Sequence, residues 1–260
     1  MIKHYLKVAF RNLMKYKTQS LVSIIGLAVG FTCFALSALW IRYEMTYDNF
    51  HEGAERIYLV RAHYANEPGT SKFTPYPLMK YLQDKMPEIE AVTAFTAHHV
   101  KFRMEDTEQE IGMIAADSVF MNFFDIQLLK GTVNFLKCDG QEVAITKEFA
   151  KRLFSKEEDA LGKEVEVGRR VCKIGAIVSG WSNHSNIPYN ILAPARHSPR
   201  WGSSNEQLFI RVRERTDIDA FRTKMSTVCI NDIEKESELS DLLITRMSAL
   251  RYSDYVDKAD

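Results

Sequence analysis

The residues able to do chemistry in this 260-residue chain fall into a few groups, and spacing decides what each can do. Gly175 to Ser182 (GAIVSGWS) has the glycine spacing of a phosphate-cradling loop. Trp181, however, stands where a lysine would reach the phosphates, and no helical pattern follows. ATP hydrolysis is therefore not expected in this chain. His98 and His99 are adjacent on a strand-like segment and would point to opposite faces, which is poor geometry for a shared metal. His184 and His197 have no paired carboxylate or cysteine spacing around them, so all four read as surface histidines. Glu234, Glu236 and Glu238 alternate with lysine and serine, the pattern of a solvated face rather than a calcium site. Ser185 beside His184 is no nucleophile–base pair, because adjacency in sequence does not supply the geometry. Asn183-His184-Ser185 matches a glycosylation sequon, which matters only in a eukaryotic secretory setting. Of the four cysteines, Cys33 lies in an apolar run; Cys138, Cys172 and Cys229 are scattered with no CxxC. That excludes a zinc framework and leaves one bridge, Cys138 to Cys172, open. The residues predict no catalytic site, no cofactor and no metal.

The elements that would position such residues begin with a charge asymmetry. Before position 42 there are five cations (Lys3, Lys7, Arg11, Lys15, Lys17) and no Asp or Glu. The remaining 219 residues carry 29 Lys/Arg against 34 Asp/Glu, a balance of about −5 that argues against nucleic acid as a partner. From Leu21 to Ile41 no residue is charged, and 21 helical residues span about 31 Å, close to the hydrocarbon thickness of a bilayer. Eleven of them are Leu, Ile, Val or Phe, worth together about −3 to −7 kcal/mol on an insertion scale. Trp40 and Tyr43 sit where interfacial aromatics belong. A cleaved signal peptide would have a shorter apolar region ending at a small-x-small site; here the run continues past Ala35-Leu36-Ser37. The expectation is a transmembrane helix over 18–43, with the N-terminus cytoplasmic by the positive-inside rule and residues 44–260 outside, periplasmic in a Gram-negative bacterium.

Two details suggest more than an anchor. Ser23, Gly26, Gly30, Cys33 and Ser37 recur at spacings of 3, 4, 3 and 4, a small-residue stripe that lets another helix approach closely in lipid. Residues 1–17 are amphipathic: Ile2, Leu6, Ala9, Phe10, Leu13 and Met14 share one face, while Lys3, Lys7, Arg11 and Lys15 step along the other. This predicts an interfacial helix on anionic membrane lipid.

Beyond a short junction over 44–55, RIYLVRAHYA reads as a strand, and PYPLMKYLQDKMPEI as a helix closed by Pro87. AVTAFTAHHVKFRM and EQEIGMIAA read as a hairpin, and DSVFMNFFDI as a short helix capped by Asp117. LLKG is a stop, EVAIT-KEFAKRLF is strand then helix, and KEVEVGRRVCKIGAIVSG is a hairpin turning near Gly168. LFIRV, a helix over Asp217–Ile230 and LLITRM complete the chain. Ile174 to Ala195 has no charge over 22 residues but is broken by Asn and Pro, so a long surface loop is expected there. Mixed elements with hairpins predict an α+β outer domain over 56–260, in one lobe or two.

The run SIIGLAVGFTCFALSALWIRYEMTYDNFHEGAERIYLVR resembles the start of the MacB/FtsX-like permeases of ABC transporters. The resemblance rests on Gly26, Leu27 and Gly30, followed by Glu44, Tyr47-Asp48, Phe50-His51 and Arg56-Ile57-Tyr58. Further on, Pro77-Leu78, Met86-Pro87-Glu88-Ile89, Phe123-Phe124, Leu129-Lys130-Gly131 and Ala144-Ile145-Thr146 are similar to that family's periplasmic core domain. So are Ala150, Leu153-Phe154, Leu161-Gly162-Lys163, Gly175 and Val178. The resemblance implies a non-catalytic permease subunit. Its partners would be a separate cytoplasmic ABC ATPase and other permease membrane helices or a second permease copy in the inner membrane. In such families the ATPase cycle moves membrane helices, and the outer domain relays that motion to an envelope substrate or partner. The family has three further membrane helices after this domain, so the chain reads as truncated before them. The alternative is a single-pass sensor with an extracytoplasmic ligand-binding domain, which a small-molecule pocket in that domain would favour. A membrane-anchored enzyme comes last, for want of a site.

Overall fold

A computed structural model describes residues 2–251 apart from 66, 106, 138–140, 155, 182–183 and 233–237. The expectations resting on Cys138, Asn183, Glu234 and Glu236, and on the side chains of Lys3, Lys7 and Cys229, lie outside the described residues. The chain divides into two compact units, Met1–Thr46 and Tyr47–Asp260.

The first unit is two helices, α1 (Ile2–Lys15) and α2 (Lys17–Met45). At 29 residues, α2 is about 44 Å long and apolar enough to cross a membrane. Leu27, Phe31 and Phe34 are each 70–75% exposed, and apolar surface displayed around a whole helix requires lipid or other helices to cover it. Thr32 inside this stretch donates its hydroxyl back to the Ala28 carbonyl at 2.8 Å, so it adds no unsatisfied donor.

The second unit is α+β, with twelve strands among the described residues connected in one hydrogen-bonded array. In chain order they are β1 (Ile57–Tyr64), β2 (Thr70–Ser71), β3 (Thr74–Pro75), β4 (Ile89–Met104), β5 (Thr107–Ala116) and β6 (Leu128–Gly131). Then come β7 (Glu142–Thr146), β8 (Glu164–Val167), β9 (Arg170–Val178), β10 (Ile191–Pro194), β11 (Ser204–Val212) and β12 (Leu239–Arg246). The helices are α3 (Pro77–Lys85), α4 (Ser118–Phe123), α5 (Lys147–Leu153) and α6 (Ile218–Asp232). Caps set several of these. The Asp117 carboxylate accepts from the Phe120 N–H at the start of α4, as its position predicts, and Thr146 does the same for Phe149 at α5.

The array has two halves, and the 16-residue β4 belongs to both. Its first part, through Phe95, pairs with β11 in the order β12-β1-β11-β4. From Thr96 onward it pairs instead with β5. Beyond that point the strands close on themselves: β5 pairs β10, β10 pairs β7, β7 pairs β9, β9 pairs β8, and β8 returns to β4 through Phe102↔Val167. A six-stranded ring results, each member paired on both sides, and the end of β9 that runs past β8 pairs with β6. Its interior holds Phe102, Ile111, Ile145, Val165, Ile174 and Ile191, with Phe149 of α5 packed against them. The open half packs α3 and α6 on one face, through Leu78, Leu82, Phe221 and Met225. Between the two halves lies an aromatic cluster around Phe95, whose ring centroid is 4.9 Å from Phe120 and 5.4 Å from Phe209.

Two expectations are corrected. LLKG is a strand, β6, not a stop: it pairs with β9, and its Gly131 abuts the Gly175 carbonyl at φ +85°. Ile174 to Ala195 is not a surface loop. Its ends are β9 and β10, and Ser185, Ile187 and Tyr189 between them are buried. Half of its described residues are buried and only Pro188 is exposed, which accounts for the absence of charge.

At Gly131 a Cβ would meet the Gly175 carbonyl in a backbone conformation that L-residues avoid. Gly162, also at positive φ (+77°), opens onto free space. Gly131→Ala is expected to cost about 2–3 kcal/mol and Gly162→Ala about 1 kcal/mol, read from denaturant midpoints. Equal costs would mean the β6–β9 approach is not close.

Candidate functional site

The second unit starts with the junction. Three residues past the end of α2, Asp48 is fully buried at φ +57°. A buried carboxylate needs donors, and the 184–187 segment supplies them. Asp48 accepts from Ser185 Oγ at 2.5 Å, from the Asn186 N–H at 3.1 Å and from Asn186 Nδ2 at 2.6 Å, while its own N–H donates to the His184 carbonyl at 3.1 Å. Ser185 Oγ in turn accepts from the Ile187 N–H. Burial pushes the Asp48 carboxyl above the usual carboxylate range, and the Ser185 and Asn186 bonds oppose that push. On either side, Tyr47 lies against the His184 ring, centroids 3.8 Å apart, with the Arg251 guanidinium 4.4 Å over the Tyr47 ring.

The rest of the junction is equally fixed. His51 packs between Trp181 and Phe124, 4.8 and 5.0 Å away, with Phe50 at 4.2 Å. Burial, then the Arg211 charge, lowers its pKa to about 4, so it is a neutral, packed ring at neutral pH. Gly53 at φ +67° turns the chain into a short 3₁₀ turn, Ala54–Arg56. Arg56 ends that turn, donating to Glu90 Oε2 at 2.5 Å and to the Val212 carbonyl at 3.0 Å. Tyr58 follows on β1, buried against the α3–α6 face.

The structure thus gathers Tyr47, Asp48, Phe50, His51 and Arg56 at one end of the second unit, and Tyr58 just beyond. Glu44 lies in the last turn of α2, in the first unit. The stripe Ser23, Gly26, Gly30, Cys33 and Ser37 is exposed along α2, and a Cβ on Gly26 or Gly30 would meet nothing within 4 Å. Phe10, Arg11 and Lys15 are exposed on α1. Sequence reasoning missed the receiving segment, Ser185 and Asn186; the 22-residue absence of charge was the signal for it.

The reading of His197 as lacking carboxylates is also corrected. Its Nδ1 lies 3.1 Å from Glu206 Oε1 and its Nε2 3.7 Å from Asp117 Oδ2, where charge acts without a hydrogen bond. Tyr76 stacks on the ring at 3.9 Å. Burial pulls the imidazolium down, but the two carboxylates outweigh it and hold the pKa up at about 9. No sequence spacing links Asp117, His197 and Glu206; only the fold does. His184 is half-buried against Tyr47, whereas His98 and His99 are exposed. At the open end of the ring lies a cavity of about 370 Å³ lined by Met113, Val143, Cys172 and Arg170 among others. Among the described residues there is no group of three or more His, Cys, Asp or Glu suited to a metal.

The geometry defines a class: a sheet-rich domain whose first residues, directly after a membrane-length helix, are built into its core. Residues 20–228 match the family model of the MacB-like periplasmic core domain, and the chain belongs to that family. Solved structures agree on the fold. A domain described as part of a permease protein from Porphyromonas gingivalis superposes with a TM-score of 0.61 at 20% identity, covering 75% of this chain and 92% of its own. The extracellular domain of the noncanonic ABC-type transporter YknZ from Gram-positive bacteria gives 0.53 at 14% identity, covering 73% and 99%. The periplasmic region of MacB from Actinobacillus actinomycetemcomitans gives 0.53 at 12% identity, covering 78% and 94%. No curated protein matches the sequence.

Two outcomes test this geometry. Asp48→Ala strands Ser185 Oγ and the Asn186 donors in the interior and should cost about 2–4 kcal/mol by chemical denaturation. Asp48→Asn, which tolerates the left-handed backbone and keeps one acceptor, should cost less. A negligible effect of Asp48→Ala would remove the pin. For His197 the folded pKa lies above the unfolded value near 6.5. Its stabilisation is therefore complete below about pH 6.5 and is lost as pH rises through about 9. Unfolding curves should show a loss of up to about 3 kcal/mol between pH 6 and pH 10 that is absent in His197→Gln. Parallel profiles for the two proteins would contradict the carboxylate clasp.

Proposed function

We propose that this chain is the membrane-anchored, non-catalytic part of an ABC-type permease. Its extracytoplasmic domain passes on movement driven by a separate cytoplasmic ATPase, in export or in mechanical signalling to an envelope partner. The observation that supports the reading best is the pin at Asp48: two residues, Thr46 and Tyr47, separate the end of α2 from a carboxylate buried in the domain, leaving little slack to absorb displacement. Family membership supports the permease class and, with it, an ATPase partner. The small-residue stripe on α2, open at Gly26 and Gly30, suits packing against other permease helices or a second copy. The five cations before the apolar run favour an N-terminus in the cytoplasm and residues 44–260 in the periplasm of a bacterial inner membrane, and the amphipathic pattern favours an interfacial helix carrying Lys3, Lys7, Phe10, Arg11 and Lys15. The hinge of this relay is the junction over 44–55.

A second reading, a single-pass ligand sensor, draws on the cavity in the ring. Affinity purification from the native membrane separates the two: an ABC ATPase co-purifies with a permease and not with a sensor. The relay itself is tested by a six-residue Gly/Ser insert after Thr46. The unfolding midpoint should stay as in the unaltered protein while stimulation of the partner ATPase and the dependent phenotype are lost. Full function with the insert in place would sink the relay.

A further inference from the structure

The cavity in the ring has a composition that points to a ligand. Val143, Val167 and Cys172 are buried at its floor, and Met113, Ala115 and Ala193 are half-buried around them. Its rim carries three exposed arginines, Arg169, Arg170 and Arg196, and among the described residues no Asp or Glu lines it. The arginines are placed by the fold. Gly168 at φ +65° turns the β8–β9 hairpin, and its N–H donates to the Lys101 carbonyl of β4 at 2.7 Å, tying the turn to the ring beside the opening.

We propose that this cavity binds a single-chain anionic amphiphile, its apolar chain on the ring floor and its carboxylate or phosphate head among Arg169, Arg170 and Arg196. Guanidinium groups recognise carboxylate and phosphate through paired N–H donors, and a floor without charged or unsatisfied polar groups selects against a hydrophilic anion. The volume of about 370 Å³ is near the lower end of small-ligand sites, so one chain fits and a two-chain lipid does not. The site serves a relay or a sensor equally, and its test involves no ATPase.

The experiment uses the full chain in phosphatidylcholine nanodiscs with a dodecanoate probe bearing a terminal diazirine, its crosslinks mapped by peptide mass spectrometry. Labelling is expected on the peptides holding Met113 and Val143, with labelling of α2 from the bilayer as an internal reference. The triple variant Arg169→Gln/Arg170→Gln/Arg196→Gln should lower ring labelling at least tenfold against that reference. Ala193→Phe, which fills the cavity and keeps the arginines, should do the same, with unchanged unfolding midpoints confirming the fold of both. Unlabelled dodecanoate and lysophosphatidylglycerol should both compete, and the stronger competitor identifies the head group as free carboxylate or lipid phosphate. Labelling confined to α2, ring labelling unaffected by either variant, or dodecanol competing as well as dodecanoate would overturn the proposal.

Discussion

The Asp48 carboxylate, buried where water does not reach, is the constraint around which the junction is organised. A charged group in that position requires donors from the same fold, and the segment that provides them, Ser185 and Asn186, lies some 137 residues away in sequence. That requirement fixes the path of the 184–187 turn and draws Tyr47 onto His184. Asn186 Nδ2 also reaches the Met247 carbonyl at 3.4 Å, so the far end of the chain joins the same network. His51 and Trp181 then close over Phe124, connecting the network to the aromatic spine around Phe95. Asp48, the 184–187 segment and Met247 are thereby linked in one hydrogen-bonded network.

From that place the domain extends along β4. Its change of partner at Phe95–Thr96 lets one strand serve an open sheet covered by helices and a closed ring with its own interior. The division explains the three packing clusters: α3 and α6 seal the open half, α5 seals the ring, and the phenylalanines lie between. The cavity in the ring and its three arginines share no residue with the junction.

Much of this was legible beforehand, for identifiable reasons. The membrane-length helix, the β4–β5 hairpin and the capped helix at Asp117 follow local rules, and local rules act within a few residues. The α+β class and the family followed from the order of such pieces. Several short motifs gain a cause from the structure: Thr146 caps α5, and Gly131 allows β6 against β9. What was illegible is what depends on distant partners. LLKG has the composition of a turn and becomes a strand because β9 offers it an edge. The run from Ile174 to Ala195 carries enough Asn and Pro to look like surface, yet Ser185 and Asn186 find their partners inside. His197 reads as solvent-facing from sequence because Asp117 and Glu206 are distant or unremarkable there. Of the candidate site, the residues on the helix side were named and those receiving them were not.

The position of β1 also governs the order in which the domain can assemble. Its main neighbours are β11 and β12, paired through Ile57↔Arg211 and Tyr58↔Arg246, so the first strand synthesised waits for the last two. At roughly 5–20 residues per second, that wait is on the order of 10–30 s, during which Val60 and Ala62 remain without most of their cover. The ring, whose strands all lie between Thr96 and Pro194, can close in the meantime. The outer domain thus has a long-range, slow closing step that only nearly complete emergence from the ribosome or translocon permits, and an early period in which a holding chaperone has a definite strand to protect.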